Sequence, residues 1–249
     1  MRKFGLIGYP LSHSFSPAYF AEKFKKEGYS DCTYEAFPIK SVEEVTLLLA
    51  NNPDLEGLNI TIPYKKDILP FLHFASDAVK ETGACNCIRI KDGNLTGFNT
   101  DVTGFEKSLT PHLTDAHSKA LILGTGGAAA AVQFVLNKLG IDFLFVSRSK
   151  KNSGEVLYYH EVTEAVLDEY KLIVNTTPLG MYPDVEKYPE IHYDFLTEEH
   201  YLYDLIYNPV QTLFLKKGAE KGAITKNGAD MLIIQAEENW KIWNETVEK

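Results

Sequence analysis

The stretch 119-KALILGTGGAAAAVQFVLNKLG-140 decides the fold. Its first part, "KALILG", is an apolar run that reads as a buried strand, and "TGGAAAAVQFVLNKLG" reads as a glycine turn followed by an alanine-rich helix. Gly124 permits a tight turn. Gly126 and Gly127 let the backbone approach a diphosphate, and the alanines allow helix and strand to pack closely. The free N–H groups and positive dipole end of the helix then face the phosphates. A glycine cluster alone is weak evidence. Here the strand before it and the helix after it supply the context that a nucleotide site requires.

Further strands follow in "IDFLFVSR", "LYYHEV", "YKLIVNTTPLG" and "HYLYDLIYNP". Strands alternating with helices predict a Rossmann-type, doubly wound parallel sheet. At the tip of the strand after the glycine turn stands Arg148, with Lys150 and Lys151 close behind. An unphosphorylated ribose asks for a carboxylate there, whereas arginine and lysine suit a 2′-phosphate. Alone, these residues read equally well as a solvated basic loop. With the glycine turn they favour NADP over NAD, and they count against a methyl-donor cofactor.

Upstream, the chain predicts a mixed α/β unit. "KFGLIGYP" is a strand, and "SPAYFAEKFKKEG" a helix capped by Ser16 with Pro17 in its first turn. "CTYEAFPI" is a strand, "SVEEVTLLLANN" a helix opened by Ser41, and "LEGLNITIPY" a third strand. "CNCIRIKDGNLTGFN" reads as two strands joined at Asp92-Gly93. The helix "DVTGFEKSL" leads into the second unit, and "MLIIQAEENWKIWNETV" is the last helix.

Composition bounds the function. The 249 residues are 45% hydrophobic and 24% charged, as in an ordinary globular protein, and suffice for one large domain or two smaller ones. With 34 acidic against 25 basic residues the net charge is −9, a poor match for nucleic acid or an anionic membrane. No stretch reads as a signal peptide or a membrane span. Cys32, Cys85 and Cys87 are odd in number and sparse, so they read as buried reduced thiols in a cytoplasmic protein. No further ligands have the spacing for a metal site with Cys85 and Cys87.

A second set of residues has another character. "GYPLSHSFSP" (8–17) alternates Ser12, Ser14 and Ser16. "GLNITIPYKKD" carries Asn59, Thr61 and Lys65. "GACNCI" carries Asn86, and "GFNTD" carries Asn99, Thr100 and Asp101. Each has a structural reading: a polar turn, a surface lysine, a turn former, a helix cap. Together they supply the hydroxyls, amides, amine and carboxylate that suit a polyhydroxylated carboxylic acid beside a group that exchanges a proton.

These motifs, with "LGTGGAAAA", "VNTTPLGM" and "NGADMLIIQAEENW" in that order, resemble the shikimate dehydrogenase family over almost the whole chain. The resemblance implies reversible NADPH-dependent reduction of 3-dehydroshikimate to shikimate, a step toward aromatic amino acids. It implies that Lys65 is the acid/base or transition-state stabiliser, with Asp101 beside it. Ser14 and Ser16, on one side by strand-like alternation, would bind the substrate carboxylate with Tyr207. Thr61, Asn86 and Gln235 would bind the ring's substituents. Gly124, Gly126 and Gly127 would hold the diphosphate and Arg148 the 2′-phosphate, with Gly228 and Met231 near the nicotinamide. Ser12 and His13 would support the loop.

The resemblance also implies a substrate-binding domain of residues 1–101 with 229–249, an NADP-binding domain of 102–228, and a substrate in the cleft between them. A monomer or homodimer with a small-molecule substrate is expected. The chain departs from the family pattern at Phe20, Ala21, Phe98, Val102 and Ser147, which predicts repacking rather than loss of the site. It also has a short segment, "SKKNSGEV", after Arg148, where a parallel crossover normally needs a dozen or more residues. Three rivals stand beside this reading: a dehydrogenase using quinate or NAD, a nucleotide-binding regulatory protein, and a methyltransferase, which Arg148 disfavours. Retention of Lys65, Asp101 and Asn86 counts against the second.

Overall fold

The computed structural model describes residues 1–12, 14–149 and 156–245. The chain divides into two units, Met1–Asp101 with Gln235–Lys249, and Val102–Ile234. The chain returns to the first unit inside the last helix, at Gln235 rather than at 229.

The first unit contains β1 (Arg2–Gly8), α1 (Phe15–Glu27), β2 (Cys32–Pro38), α2 (Glu44–Asn51), β3 (Leu55–Ile60), β4 (Phe74–Ala75), α3 (Asp77–Thr82), β5 (Cys87–Lys91) and β6 (Asn94–Phe98), followed by α4 (Thr100–Leu109). Its sheet has the order β2-β1-β3-β5-β6-β4. The β1/β2, β1/β3 and β4/β6 pairs are parallel, and β3/β5 and β5/β6 antiparallel. The β5–β6 hairpin turns at Asp92 and Gly93, both at positive φ (51° and 75°), the geometry that Asp-Gly favours.

Both faces of this sheet are covered, which strand alternation makes possible. Ile7, Leu58 and Ile88 face a cluster with Val45 and Ile68, whereas Phe4 and Cys87 face an aromatic cluster with Phe20, Phe24, Trp240 and Trp243. Trp243 comes so close to β3 that a Cβ on Gly57 would lie 2.3 Å from its indole nitrogen. That nitrogen donates to the Ile88 carbonyl at 3.0 Å.

The second unit contains β7 (Lys119–Leu123), α5 (Gly127–Leu139), β8 (Asp142–Val146), β9 (Val156–Leu157), α6 (Glu164–Glu169), β10 (Leu172–Asn175), β11 (Tyr201–Asp204), α7 (Leu213–Ala219) and β12 (Ile224–Lys226), and leads into α8 (Ala229–Asn244). The strand order β9-β8-β7-β10-β11-β12 is parallel throughout and reverses direction at β7/β10, the switch point of a Rossmann sheet. Leu121, Leu123, Ile173 and Leu202 face a core with Phe214 and Leu215. On α4, Phe105 lies edge-on to Tyr203 and Ser108 hydrogen-bonds the Tyr203 hydroxyl at 2.6 Å.

Four local expectations are corrected. Helix α1 begins at Phe15 with Ser14 at the N-cap, so Ser16 lies in its first turn and is not the cap. Ser14 and Ser16 therefore do not alternate as on a strand. Helix α2 begins at Glu44, whose carboxylate accepts from the Ser41 and Lys40 N–H groups at 3.0 Å. Only Leu157 of the "LYYHEV" segment is strand, paired in β9 with the preceding Val156, because the Glu161 carboxylate accepts from Tyr158 N–H at 2.7 Å and closes a 3₁₀ turn. The expectations for His13, Lys150 and Lys151 lie outside the described residues.

Candidate active site

In the first unit, Lys65 and Asp101 form an ion pair, with Lys65 Nζ 2.6 Å from Asp101 Oδ2. The partners arrive from distant parts of the chain. Lys65 lies in the turn after β3, and its carbonyl accepts from Cys85 N–H at 2.7 Å, tying that turn to the segment entering β5. Asp101 is the second residue of α4, where a carboxylate suits the positive end of the helix dipole. Both side chains are partly exposed, at 32% and 22%, so the pair is accessible to a ligand.

Asn86 sits immediately before β5 and is buried. Its Oδ1 accepts from the Thr100 N–H at 2.7 Å. Thr61 follows β3 directly, and its N–H donates to Ile7 at 2.9 Å. It is packed against the end of β1 so closely that a Cβ on Gly8 would lie 2.4 Å from its methyl group. Gln235, also buried, lies on α8, where Asn239 Nδ2 donates to its Oε1 at 3.2 Å.

One side chain not singled out from the sequence, Tyr34, joins this set through Asn59. The Tyr34 hydroxyl donates to Asn59 Oδ1 at 2.8 Å, and Asn59 Nδ2 donates to the Asn86 carbonyl at 3.2 Å. Burial holds the Tyr34 phenol well above its ordinary pKa, and Ser16 acts on it in the opposite direction. Phe20 stacks on Tyr34 with ring centroids 4.7 Å apart, and Arg89 lies 5.6 Å from the Phe98 ring, so these two of the five departures from the family pattern are packed into the unit. Cys85 and Cys87 are buried free thiols. Burial pushes Cys85 up to about 12 and Cys87 well above its ordinary value, which leaves neither reactive.

Ser14 and Ser16 stand at the N-terminus of α1. The Ser14 side chain makes no cap hydrogen bond there, and no acidic residue occupies the first turn. The correction to the alternation thus changes the physics of this position: an anion there would meet hydroxyls together with helix N–H groups.

In the second unit the candidate cofactor residues collect at the carboxyl ends of the parallel strands. Gly124 follows β7 at φ +104°, and a Cβ on it would lie 2.8 Å from Thr176 Oγ1. A Cβ on Gly126 or Gly127 would meet nothing within 4 Å, so the turn is open above the uncapped N-terminus of α5. Arg148 is exposed just beyond β8, and its charge acts on the partly buried Tyr159 phenol. Residues 147–155 link β8 to its parallel neighbour β9. Tyr207 is exposed in the loop after β11, and thus belongs to this unit rather than to the one bearing Ser14 and Ser16. Gly228 is pressed against that loop: a Cβ there would lie 2.1 Å from the Leu205 carbonyl oxygen. Met231 is in the first turn of α8.

Asp204, at the end of β11, was not anticipated. It is fully buried, and its carboxylate accepts from Asn175 Nδ2 (3.0 Å), Ile206 N–H (3.1 Å) and Thr212 Oγ1 (2.6 Å). Burial raises its pKa to about 6, against these three donors. Asn175 Oδ1 in turn accepts from the Thr177 N–H and hydroxyl, beside Gly124. One buried carboxylate thereby braces the loops that follow β10 and β11. Its signal in the sequence was an acidic residue closing an otherwise apolar strand, "YLYD".

An open glycine turn on an uncapped helix, at the switch point of a parallel sheet, with an exposed arginine at the next strand tip, defines a dinucleotide-binding α/β protein. Comparison with known proteins narrows the class. The family model for the shikimate dehydrogenase substrate binding domain matches residues 6–88. A shikimate dehydrogenase (NADP(+)) of Clostridium beijerinckii is 38% identical over 263 residues, covering 98% of this chain and 93% of its own. The crystal structure of shikimate dehydrogenase from Aquifex aeolicus matches with TM-score 0.86 at 33% identity, over 100% of this chain and 94% of that one. Quinate dehydrogenase from Corynebacterium glutamicum, in complex with NAD, matches with TM-score 0.86 at 26% identity, over 98% of this chain and 93% of that one. The chain belongs to the shikimate dehydrogenase family.

Proposed function

We propose that the chain catalyses the reversible NADPH-dependent reduction of 3-dehydroshikimate to shikimate, in the shikimate pathway, with Lys65 as the group that exchanges the proton. The carrying observation is the accessible Lys65–Asp101 pair, tied through Cys85 to the segment that holds Asn86. Gly124, Gly126 and Gly127 with the N-terminus of α5 fit a diphosphate, and Arg148 fits a 2′-phosphate. Gly228 and Met231 are assigned to the nicotinamide side. When bound, the cofactor supplies or takes the hydride.

The protein's own side chains do the rest. Hydride addition to a ketone builds negative charge on its oxygen. The Lys65 ammonium stabilises that charge and gives the proton, and its amine takes the proton back in the oxidative direction. Asp101 holds Nζ in place and accepts from a substrate hydroxyl. Ser14 and Ser16 receive the substrate carboxylate at the N-terminus of α1. Thr61, Asn86 and Gln235 bind the ring's substituents.

Among the described residues no helix is long and apolar enough to cross a membrane. The free, buried cysteines support a cytoplasmic placement. A monomer or homodimer is the assembly we assign.

Thermal-shift measurements with shikimate, quinate, NADP and NAD test the ligand assignment, because a ligand that binds the native state raises its apparent stability. Shikimate and NADP are each expected to raise Tm more than quinate and NAD. A nucleotide shift with no response to either acid would replace this reading with that of a regulatory nucleotide binder.

A further inference from the structure

We infer that Asp204 is a positioning residue that fixes the diphosphate end of the cofactor site relative to its nicotinamide end. The proposal rests on the assignment of Gly124 to the first end and Gly228 to the second. All the residues involved lie in the second unit. Asp204 Oδ1 accepts from Asn175 Nδ2 at 3.0 Å and from Ile206 N–H at 3.1 Å. The first bond leads to the diphosphate end. Asn175 Oδ1 accepts from the Thr177 N–H at 3.0 Å and from its hydroxyl at 2.7 Å, and a Cβ on Gly124 would lie 2.9 Å from the Thr177 methyl group. The second bond leads to the nicotinamide end. The Ile206 carbonyl accepts from Gly228 N–H at 3.0 Å, and Gly228 is pressed against the neighbouring Leu205 carbonyl. The Leu205 N–H reaches the Asn175 carbonyl at 3.1 Å, and beyond that point the Asp204 carboxylate continues the link between the two loops.

Hydrogen-bond chemistry keeps Oδ1 an acceptor whether or not Asp204 is protonated. Ile206 N–H can only donate. The Asn175 amide must present its NH₂, because Thr177 N–H holds its oxygen on the other side. A proton taken up by Asp204 therefore settles on Oδ2, where the Thr212 hydroxyl, 2.6 Å away, can turn from donor to acceptor. The carboxyl can titrate while the link through Oδ1 stays intact. Its three donors are neutral groups. Tyr193 and Tyr203 are the titratable side chains whose charge would reach Asp204, and burial keeps both phenols neutral, pushing Tyr203 up to about 12 and Tyr193 higher still.

Asn175→Asp tests the link in the full-length protein. It sets a second carboxyl 3.0 Å from Asp204 Oδ1, where two carboxylates cannot both ionise freely. At low pH a shared proton restores the bridge, and at high pH the two charges repel and the loops part. Calorimetric titration reads the Kd of NADP and of 2′-phospho-ADP-ribose, which is NADP without its nicotinamide, each relative to wild type at the same pH. From pH 6 to pH 9 the relative Kd of NADP is expected to rise about tenfold, the scale of one hydrogen bond, while that of the fragment stays nearly constant. Adding Asp204→Asn is expected to abolish the pH dependence. Asn175→Ala, with its folding checked by Tm, serves should the aspartate not be accommodated, and is expected to weaken NADP about tenfold more than the fragment. A constant relative Kd for NADP in Asn175→Asp, or equal losses with both ligands in either variant, would overturn the proposal while leaving the glycines as cofactor contacts. Wild-type protein that binds neither ligand would overturn both the proposal and the cofactor assignment on which it rests.

Discussion

Lys65 Nζ and Asp101 Oδ2 lie 2.6 Å apart, although 36 positions separate them in the chain. The turn after β3 and the first turn of α4 converge to make this contact. An exposed ion pair contributes little to stability, so its value lies in where it holds the amine. Lys65→Ala is therefore expected to lower kcat by about 10²–10⁴-fold, the range for loss of general acid–base catalysis, with a much smaller change in the KM for shikimate. Asp101→Asn should lower kcat less, by about tenfold or more. Steady-state kinetics at saturating cofactor reads both, and a raised KM with unchanged kcat in Lys65→Ala would remove Lys65 from the proton transfer.

Arg148 is exposed at the tip of β8, two residues after the strand ends at Val146. A guanidinium that grips a 2′-phosphate has nothing to grip on NAD. Arg148→Ala should raise the KM for NADP by about tenfold or more and leave that for NAD nearly unchanged. Equal losses with both cofactors would assign the arginine to the fold rather than to the phosphate.

Asp204 carries a pH signature. Its folded pKa of about 6 lies above its ordinary 3.8, so between these values the native state binds more protons than the unfolded chain. Its contribution is fully present below pH ~4 and is lost as the pH rises through ~6, a change on the order of 3 kcal/mol. Asp204→Asn removes the titration. Relative to wild type, the variant should gain Tm steadily from pH 4 to pH 7. A constant difference in Tm across that range would mean that Asp204 does not titrate as its burial requires.

His117 and His200 act with the opposite sign. Each Nδ1 accepts from a backbone N–H, Thr114 at 3.0 Å and Thr197 at 2.9 Å, which leaves the proton on Nε2 to donate to the Glu199 and Leu167 carbonyls. Burial lowers both pKa values from the ordinary 6.5. The unfolded chain therefore takes up protons first as pH falls below ~6.5, and the stability held above that pH is lost on acidification. In His200→Asn the Tm deficit against wild type should be largest at pH 8 and shrink toward pH 5. A deficit that grows on acidification would show that the native imidazole is the more readily protonated one.

Much of this was legible in the sequence, and the exceptions have physical causes. The glycine turn announced itself because Gly124 must be glycine at φ +104° and a strand and helix flank it. The Asp92-Gly93 hairpin was legible for the same reason. The Ser14/Ser16 geometry was misread because alternation along the sequence looks alike in a strand and at a helix start, and Pro17 suits the first turn whether the helix begins at Phe15 or two residues later. Strands β4, β9 and β12 are only two or three residues long, too short for any periodicity to register. Tyr34, Asn239 and Asp204 passed unnoticed because only the folded chain shows that each is withdrawn from water and which partners make that tolerable.

The most direct measurement is the initial rate of NADP reduction by the wild-type protein with shikimate as substrate, run beside quinate and beside NAD. The account requires rapid turnover with shikimate and NADP, and markedly slower turnover when quinate replaces shikimate or NAD replaces NADP. No turnover by folded protein that binds NADP, or a preference for quinate or NAD, would contradict it.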